Sequence, residues 1–152
     1  MSVTAIKAIE NQSRFPVAFL KLENTEDHGI IFPGQINYNE VWIPWCDDAL
    51  QLSQKVFIVE VNNDLRFYIW QTGPAVYYYH SPIKPLSTGQ PYPGIPKQPQ
   101  LVPYVAVDPK FFKPQLVPGV STVGGNRKLI IRETLKPNAL LNQYFTISLQ
   151  AI

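Results

Sequence analysis

The sharpest pattern in the chain is the alternation between Lys55 and Gln71. Phe57, Val59 and Val61 alternate with Val56, Ile58 and Glu60; beyond Asn62-Asn63-Asp64, Leu65, Phe67 and Ile69 alternate with Arg66, Tyr68 and Trp70. A period of two is that of a strand with one buried face. Placing both apolar sets on one face puts Val61 opposite Leu65. That demands a loop of odd length, and the three polar residues between them suit a hairpin loop with one residue in the left-handed region. The same register sets Glu60 across from Arg66, Ile58 from Tyr68 and Val56 from Trp70, one opposite-charge pair and two aromatic–aliphatic pairs. A slip of one residue would lose all three.

Elsewhere the pattern is of short strands between turn signals. Thr4–Glu10 and Phe15–Leu22 flank Asn11-Gln12-Ser13. Residues 23–29 read as a polar loop, Gly29–Phe32 as a strand ended by Pro33-Gly34, and Tyr38–Trp45 as a strand whose Pro44 marks an edge or an end. Thr72-Gly73-Pro74 turns into Val76–His80. Lys128–Glu133 and Tyr144–Leu149 close the fold, and in the second Phe145, Ile147 and Leu149 alternate with Tyr144, Thr146 and Ser148, so one side faces water. Helix signals are confined to Asp47–Gln51, one turn with an aspartate N-cap, and to Asn138–Asn142. The prediction is an all-β fold, a single antiparallel β-sandwich or partly open barrel.

Composition adds one feature to this. Of the fifteen prolines, ten lie between residues 81 and 118. Each proline inside a helix costs about 3 kcal/mol, so a helical bundle is excluded. Neither strand-rich flank offers a whole core, so residues 1–152 read as one β domain and 81–118 as an insertion covering an edge or face. Within it, Pro99-Gln100-Leu101-Val102-Pro103-Tyr104-Val105 recurs as Pro114-Gln115-Leu116-Val117-Pro118-Gly119-Val120, with six of seven positions matched. Two copies do not make a repeat fold; they read as two equivalent extended segments. Pro93, Pro96 and Pro99 fall on one edge of a polyproline II ridge, which reads as packing on the protein's own tyrosines.

Charge and motifs narrow the chemistry. The net charge is +2, too small to argue for nucleic acid, and Cys46 is the one cysteine, so no intramolecular disulfide forms. Asp47 and Asp48 follow Cys46 and oppose a thiolate, so the thiol reads as a small buried hydrophobe. Glu26-Asp27-His28 reads as a solvated turn, and Gly124-Gly125 as a turn without the Lys-Ser/Thr ending of a phosphate loop. Neither a metal nor a cofactor is expected. No apolar leader begins the chain and no window of about 18 apolar residues occurs. The expectation is a cytoplasmic protein without a transmembrane helix, unless it is released by a non-classical route.

What stands out is aromatic. Between Tyr38 and Tyr79 lie ten of the nineteen aromatic residues. Alternation in Val76–His80 sends Tyr77 and Tyr79 to one side and Tyr78 and His80 to the other. Rings with a polar handle suit a sugar or another flat ligand. The expected function is a non-enzymatic binding module for a carbohydrate or other apolar-faced small molecule. Its stacking site would be built from Trp42, Trp45, Tyr68, Trp70, Tyr78 and His80, with Arg66 and Glu40 as polar orienters. The same residues leave three alternatives. One is a self-assembling homo-oligomer or protein-interaction domain using the aromatic face and the duplicated Pro-Gln-Leu-Val-Pro segments. Another is a small isomerase or cyclase with Glu40 or His80 as acid–base. The last is attachment to a membrane surface through the aromatics.

Overall fold

In a computed structural model the described residues are 3–61, 65–80, 114–133 and 145–152. Alternation organises them. In β6 (Phe57–Val61) and β7 (Leu65–Thr72), Val61 pairs with Leu65, Glu60 with Arg66 and Ile58 with Tyr68, the register that the sequence predicts. The ladder stops at Phe57 and Ile69, one step before Val56 and Trp70, which instead share a small apolar cluster. The next hairpin joins β7 to β8 (Ala75–His80) through Gly73-Pro74, with Gly73 at φ 55, the glycine-first arrangement of a two-residue hairpin turn.

The remaining strands are β1 (Thr4–Gln12), β2 (Val17–Lys21), β3 (Asn24–Ile31), β4 (Ile36–Asn37), β5 (Val41–Trp42), β9 (Gln115–Leu116), β10 (Gly125–Glu133) and β11 (Phe145–Ala151). They form two largely antiparallel sheets. The first runs β11-β10-β1-β4, with β5 also on β1; the second runs β3-β2-β6-β7-β8-β9. The inward residues of both meet in one core that includes Ile6, Ile9, Phe19, Phe57, Leu129 and Phe145, all buried. The outward side of the first sheet is polar, and there Lys128 Nζ sits 2.7 Å from Glu10 Oε1. Among the described residues no helix is long and apolar enough to cross a membrane.

Several sequence expectations are revised. Residues 23–29 are not a loop. They fall largely within β3, an edge strand whose side chains are mostly exposed, so burial never imposed an alternation on them. The Tyr38–Trp45 strand reduces to β5 and an isolated bridge from Trp45 to Gln71, because the chain leaves the first sheet there and crosses to the second. The central pair β1–β10 is parallel. A bulge between Ile6 and Ala8 resets the phase of β1, which is how Ile6 and Ile9, three apart, both point inward. Helix α1 (Ala49–Lys55) begins where predicted, with the Asp48 side chain accepting from Gln51 N–H at 2.8 Å, and runs beyond the one turn expected. The 62–64 loop, residues 81–113 with the first copy of the heptad, and Asn138–Asn142 lie outside the described residues.

The second heptad copy supplies β9 on β8 and then closes one side of the sandwich. Leu149 N–H donates to Pro118 C=O at 2.9 Å, and Val120 N–H donates to Leu149 C=O at 2.8 Å. Gly119, between them, has φ +94, and a Cβ there would lie 2.1 Å from the Leu149 carbonyl oxygen. Gly34 also has positive φ, +78, but a Cβ there meets nothing within 4 Å. Gly34→Ala is therefore expected to cost only the backbone penalty, about 1–2 kcal/mol. Gly119→Ala adds a backbone collision and should cost at least ~2 kcal/mol more. Urea midpoints of the two variants, at a common slope, test this; equal losses would contradict it.

Candidate functional site

The crossing from β5 to the second sheet builds a recess bordered by two tryptophans. Pro44 has no N–H to offer, and its carbonyl accepts from Gln71 N–H at 2.9 Å; Cys46 N–H then donates to the Gln71 carbonyl at 3.1 Å. The Gln71 side chain is buried between the sheets and bonded at both ends of its amide. Its Oε1 accepts from Thr4 Oγ1 at 2.7 Å, and its Nε2 donates to Ile43 C=O at 2.7 Å. Thr4 Oγ1 accepts in turn from Gly124 N–H at 2.7 Å. This fixed backbone holds Trp42 and Trp45 on either side of the crossing.

The recess has a volume of about 210 Å³ and is lined by Trp42, Trp45, Lys21, Glu23, Lys55 and Gln71, among others. Trp42 is 55% exposed. Its ring is nevertheless held: Nε1–H donates to Glu40 Oε1 at 3.0 Å, and Lys7 Nζ sits 2.8 Å from the same oxygen. The hydrogen bond from Lys7, and then that from Trp42, hold the Glu40 carboxyl below the usual glutamate range. A carboxylate already receiving from an ammonium and an indole is a poor general base, so Glu40 is placed to orient Trp42 rather than to move protons.

A second recess of about 210 Å³ opens between β8, β9 and β11 and is lined by Tyr78, His80, Gln115, Phe67 and Thr146. Tyr78 Oη donates to Gln115 Oε1 at 2.8 Å, and burial pushes the Tyr78 phenol up. The His80 ring stacks parallel to Tyr79 with centroids 6.1 Å apart.

The outer face of the second sheet carries the third group. Tyr68 stacks on Tyr79, and Trp70 on Tyr77, at 5.7 and 6.3 Å between centroids. Trp70 is 4% and Tyr68 9% exposed. Their faces are taken up by cross-strand neighbours and by a small core with Leu52, Val56, Ile58 and Cys46. Arg66 lies beside its cross-strand partner Glu60, with Nε 3.6 Å from Oε1.

The eight residues expected to form one stacking site thus fall into three places. Trp42, Trp45 and Glu40 belong to the crossing, with Glu40 behind Trp42; Tyr78 and His80 belong to the second recess; Arg66, Tyr68 and Trp70 belong to the outer face. Strand parity separates the last two groups, since Tyr78 and His80 point to the inter-sheet side of β8 and Tyr68 and Trp70 to the outer side of β7. The residues missed by sequence reasoning are Lys21, Glu23 and Lys55. Lys21 carried a readable signal: it follows Val17 and Phe19 at the inward parity of β2, a charge where the core pattern calls for an apolar residue. Lys55 ends α1, where a cation also complements the helix dipole. Among the described residues no three His, Cys, Asp or Glu side chains converge as a metal site would require. No family model, curated protein or solved structure matches the chain.

Two expectations follow. Desolvation pushes the Cys46 thiol up to about 12, so a disulfide reagent at neutral pH should leave native protein unmodified and react once it is unfolded. Prompt reaction of the native protein would contradict the burial. Because the pKa of Glu40 is depressed, its contribution to stability is present at neutral pH and is lost as pH falls through the depressed value. An acid titration of Trp42 emission should show a midpoint below that of an ordinary glutamate, and Glu40→Gln should abolish it.

Proposed function

We propose that the protein is a non-enzymatic binding module that takes a small ligand with a flat apolar face, such as a sugar ring, in the recess between Trp42 and Trp45. The observation that carries this reading is the state of Trp42. A half-exposed indole, oriented from behind by Glu40 and Lys7, borders a recess with a second tryptophan. An exposed ring that is already oriented loses little freedom on stacking, which favours recognition of a ligand face.

Size favours a single ring. Pockets for drug-sized molecules run to about 300–1,000 Å³, and this recess is near 210 Å³. At about −0.3 kcal/mol per heavy atom, a ring of ~12 atoms binds with about −4 kcal/mol, a Kd near millimolar. Such affinity suits a lectin-like module that gains strength by multivalency.

The nucleophile and base candidates argue against an enzyme on this recess. The Cys46 thiol is buried and protonated, and the Glu40 carboxylate is engaged. The test is a titration of single-ring sugars and sugar acids at millimolar concentrations, followed by tryptophan emission and by calorimetry. Binding should weaken at least about tenfold in Trp42→Ala, with only a small loss in unfolding midpoint because half of the ring is exposed and Glu40 keeps its pair with Lys7. Trp70→Phe should leave binding intact. Equal binding by wild type and Trp42→Ala would end this reading.

A further inference from the structure

We infer that the ligand of the Trp42–Trp45 recess carries a carboxylate, which Lys21 and Lys55 recognise. This rests on the reading of that recess as the binding site, and it names the chemical class that enters.

The first observation is Lys21 itself. It occupies an inward position of β2, opposite Phe57, and its side chain is only 7% exposed. Lysine side chains are almost never this buried unless the ammonium is paired. Within the described structure the nearest carboxylate oxygen is Glu23 Oε1 at 3.8 Å, beyond hydrogen-bonding reach. Other lysines show the opposite arrangement. Lys7 lies 2.8 Å from Glu40 and Lys128 2.7 Å from Glu10, and both lysines are far more exposed than Lys21. The most buried of these lysine side chains therefore has the longest carboxylate contact, and it lines the recess.

The second observation is the charge count. Lys21, Lys55 and Glu23 line the recess. Two cations and one anion leave one positive charge, and Lys55 has no ion-pair partner among the described residues. Glu23 is on the turn after β2 with its side chain 44% exposed, so it can swing to water when another anion arrives. A single carboxylate would replace the long contact to Glu23 with a charge-assisted hydrogen bond to Lys21 and neutralise the remaining charge. Gln71, also in the lining, has both ends of its amide committed to Thr4 and Ile43 and adds no competing acceptor. The tryptophans supply the face that a ring would stack on. The class is therefore a ring bearing one carboxylate, either a sugar acid or an aromatic acid.

The experiment compares matched pairs by calorimetry and tryptophan emission: methyl glucuronide against methyl glucoside, and benzoate against benzyl alcohol. The acidic member of at least one pair should bind about tenfold or more tightly than its neutral partner. The preference should shrink with added salt. Which pair responds separates sugar acids from aromatic acids. Lys21→Met should remove the preference. Because it alters a buried position, Lys55→Met provides a second reading at a less buried one and should reduce it. Glu23→Gln, which removes the competing anion, should tighten binding of the acid, a gain that misfolding cannot imitate. Equal affinity for acid and neutral partner would overturn the carboxylate assignment while leaving the recess as a ligand site. An unchanged acid affinity in Glu23→Gln together with both lysine variants would also overturn it. No response of Trp42 to any of the four compounds would overturn the assignment and the binding reading together.

Discussion

The hydrogen bond between Thr4 and Gln71 is the contact on which the architecture turns. It joins the first strand of one sheet to a central strand of the other, beside the apolar cluster that fills most of the core. Neither group could be buried without the other, since an unpaired hydroxyl or amide there would cost about 1–3 kcal/mol. Each is also tied onward, Thr4 to the Gly124 amide and Gln71 to the Ile43 carbonyl. The relay fixes where the chain may cross between sheets, and the crossing places Trp42 and Trp45. A buried asparagine plays the same part near the far end of β1. Asn11 Nδ2 donates to Phe15 C=O and Ile31 C=O at 2.7 and 2.9 Å, and its Oδ1 accepts from Ser13. The interior is therefore polar where the chain passes from one layer to the other, and each of these side chains is used in full.

What was legible in the sequence follows from how each segment meets water. The β6–β7 hairpin is buried on both faces rather than on the one that its alternation suggests, but only one face is wholly apolar and the other carries the ion pair of Glu60 and Arg66, so pattern and register both declare themselves. In β11 the wet side was equally plain from Thr146 and Ser148 against Phe145, Ile147 and Leu149. The first part of β3, before Gly29, was illegible because an exposed edge strand has no face that selects apolar residues. β1 was blurred by its bulge, which replaces a period of two with a step of three between Ile6 and Ile9. The parallel pairing of β1 with β10 left no trace in either strand, because register between distant segments is set by the assembled core.

The candidate site was legible in part. Composition pointed to the tryptophans and to Glu40, and the structure joins Glu40 to Trp42 through a hydrogen bond. It could not show that parity puts Tyr78 and His80 on one side of the second sheet and Tyr68 and Trp70 on the other, nor that the latter two are occupied with Tyr79 and Tyr77. Lys21 escaped notice although it lies inside the strand read over Phe15–Leu22, because a run that is apolar on both faces does not show which parity points to the sandwich interior. Only its pairing with Phe57 places it at the sandwich interior.

The parallel pairing of β1 with β10 has a consequence for how the molecule is made. Thr4 aligns with Gly125 and Gln12 with Arg132, so a strand at the very start of the chain finds one of its two neighbours near the end. The loops β2–β3, β6–β7 and β7–β8 close locally and can form while the chain is still growing. β1 cannot complete its sheet until β10 has left the ribosome. During synthesis one edge of β1 therefore stays unpaired until β10 emerges. A pairing over so long a stretch of sequence carries a loop-closure cost that the hairpins do not, and until it forms β1 offers an open strand edge.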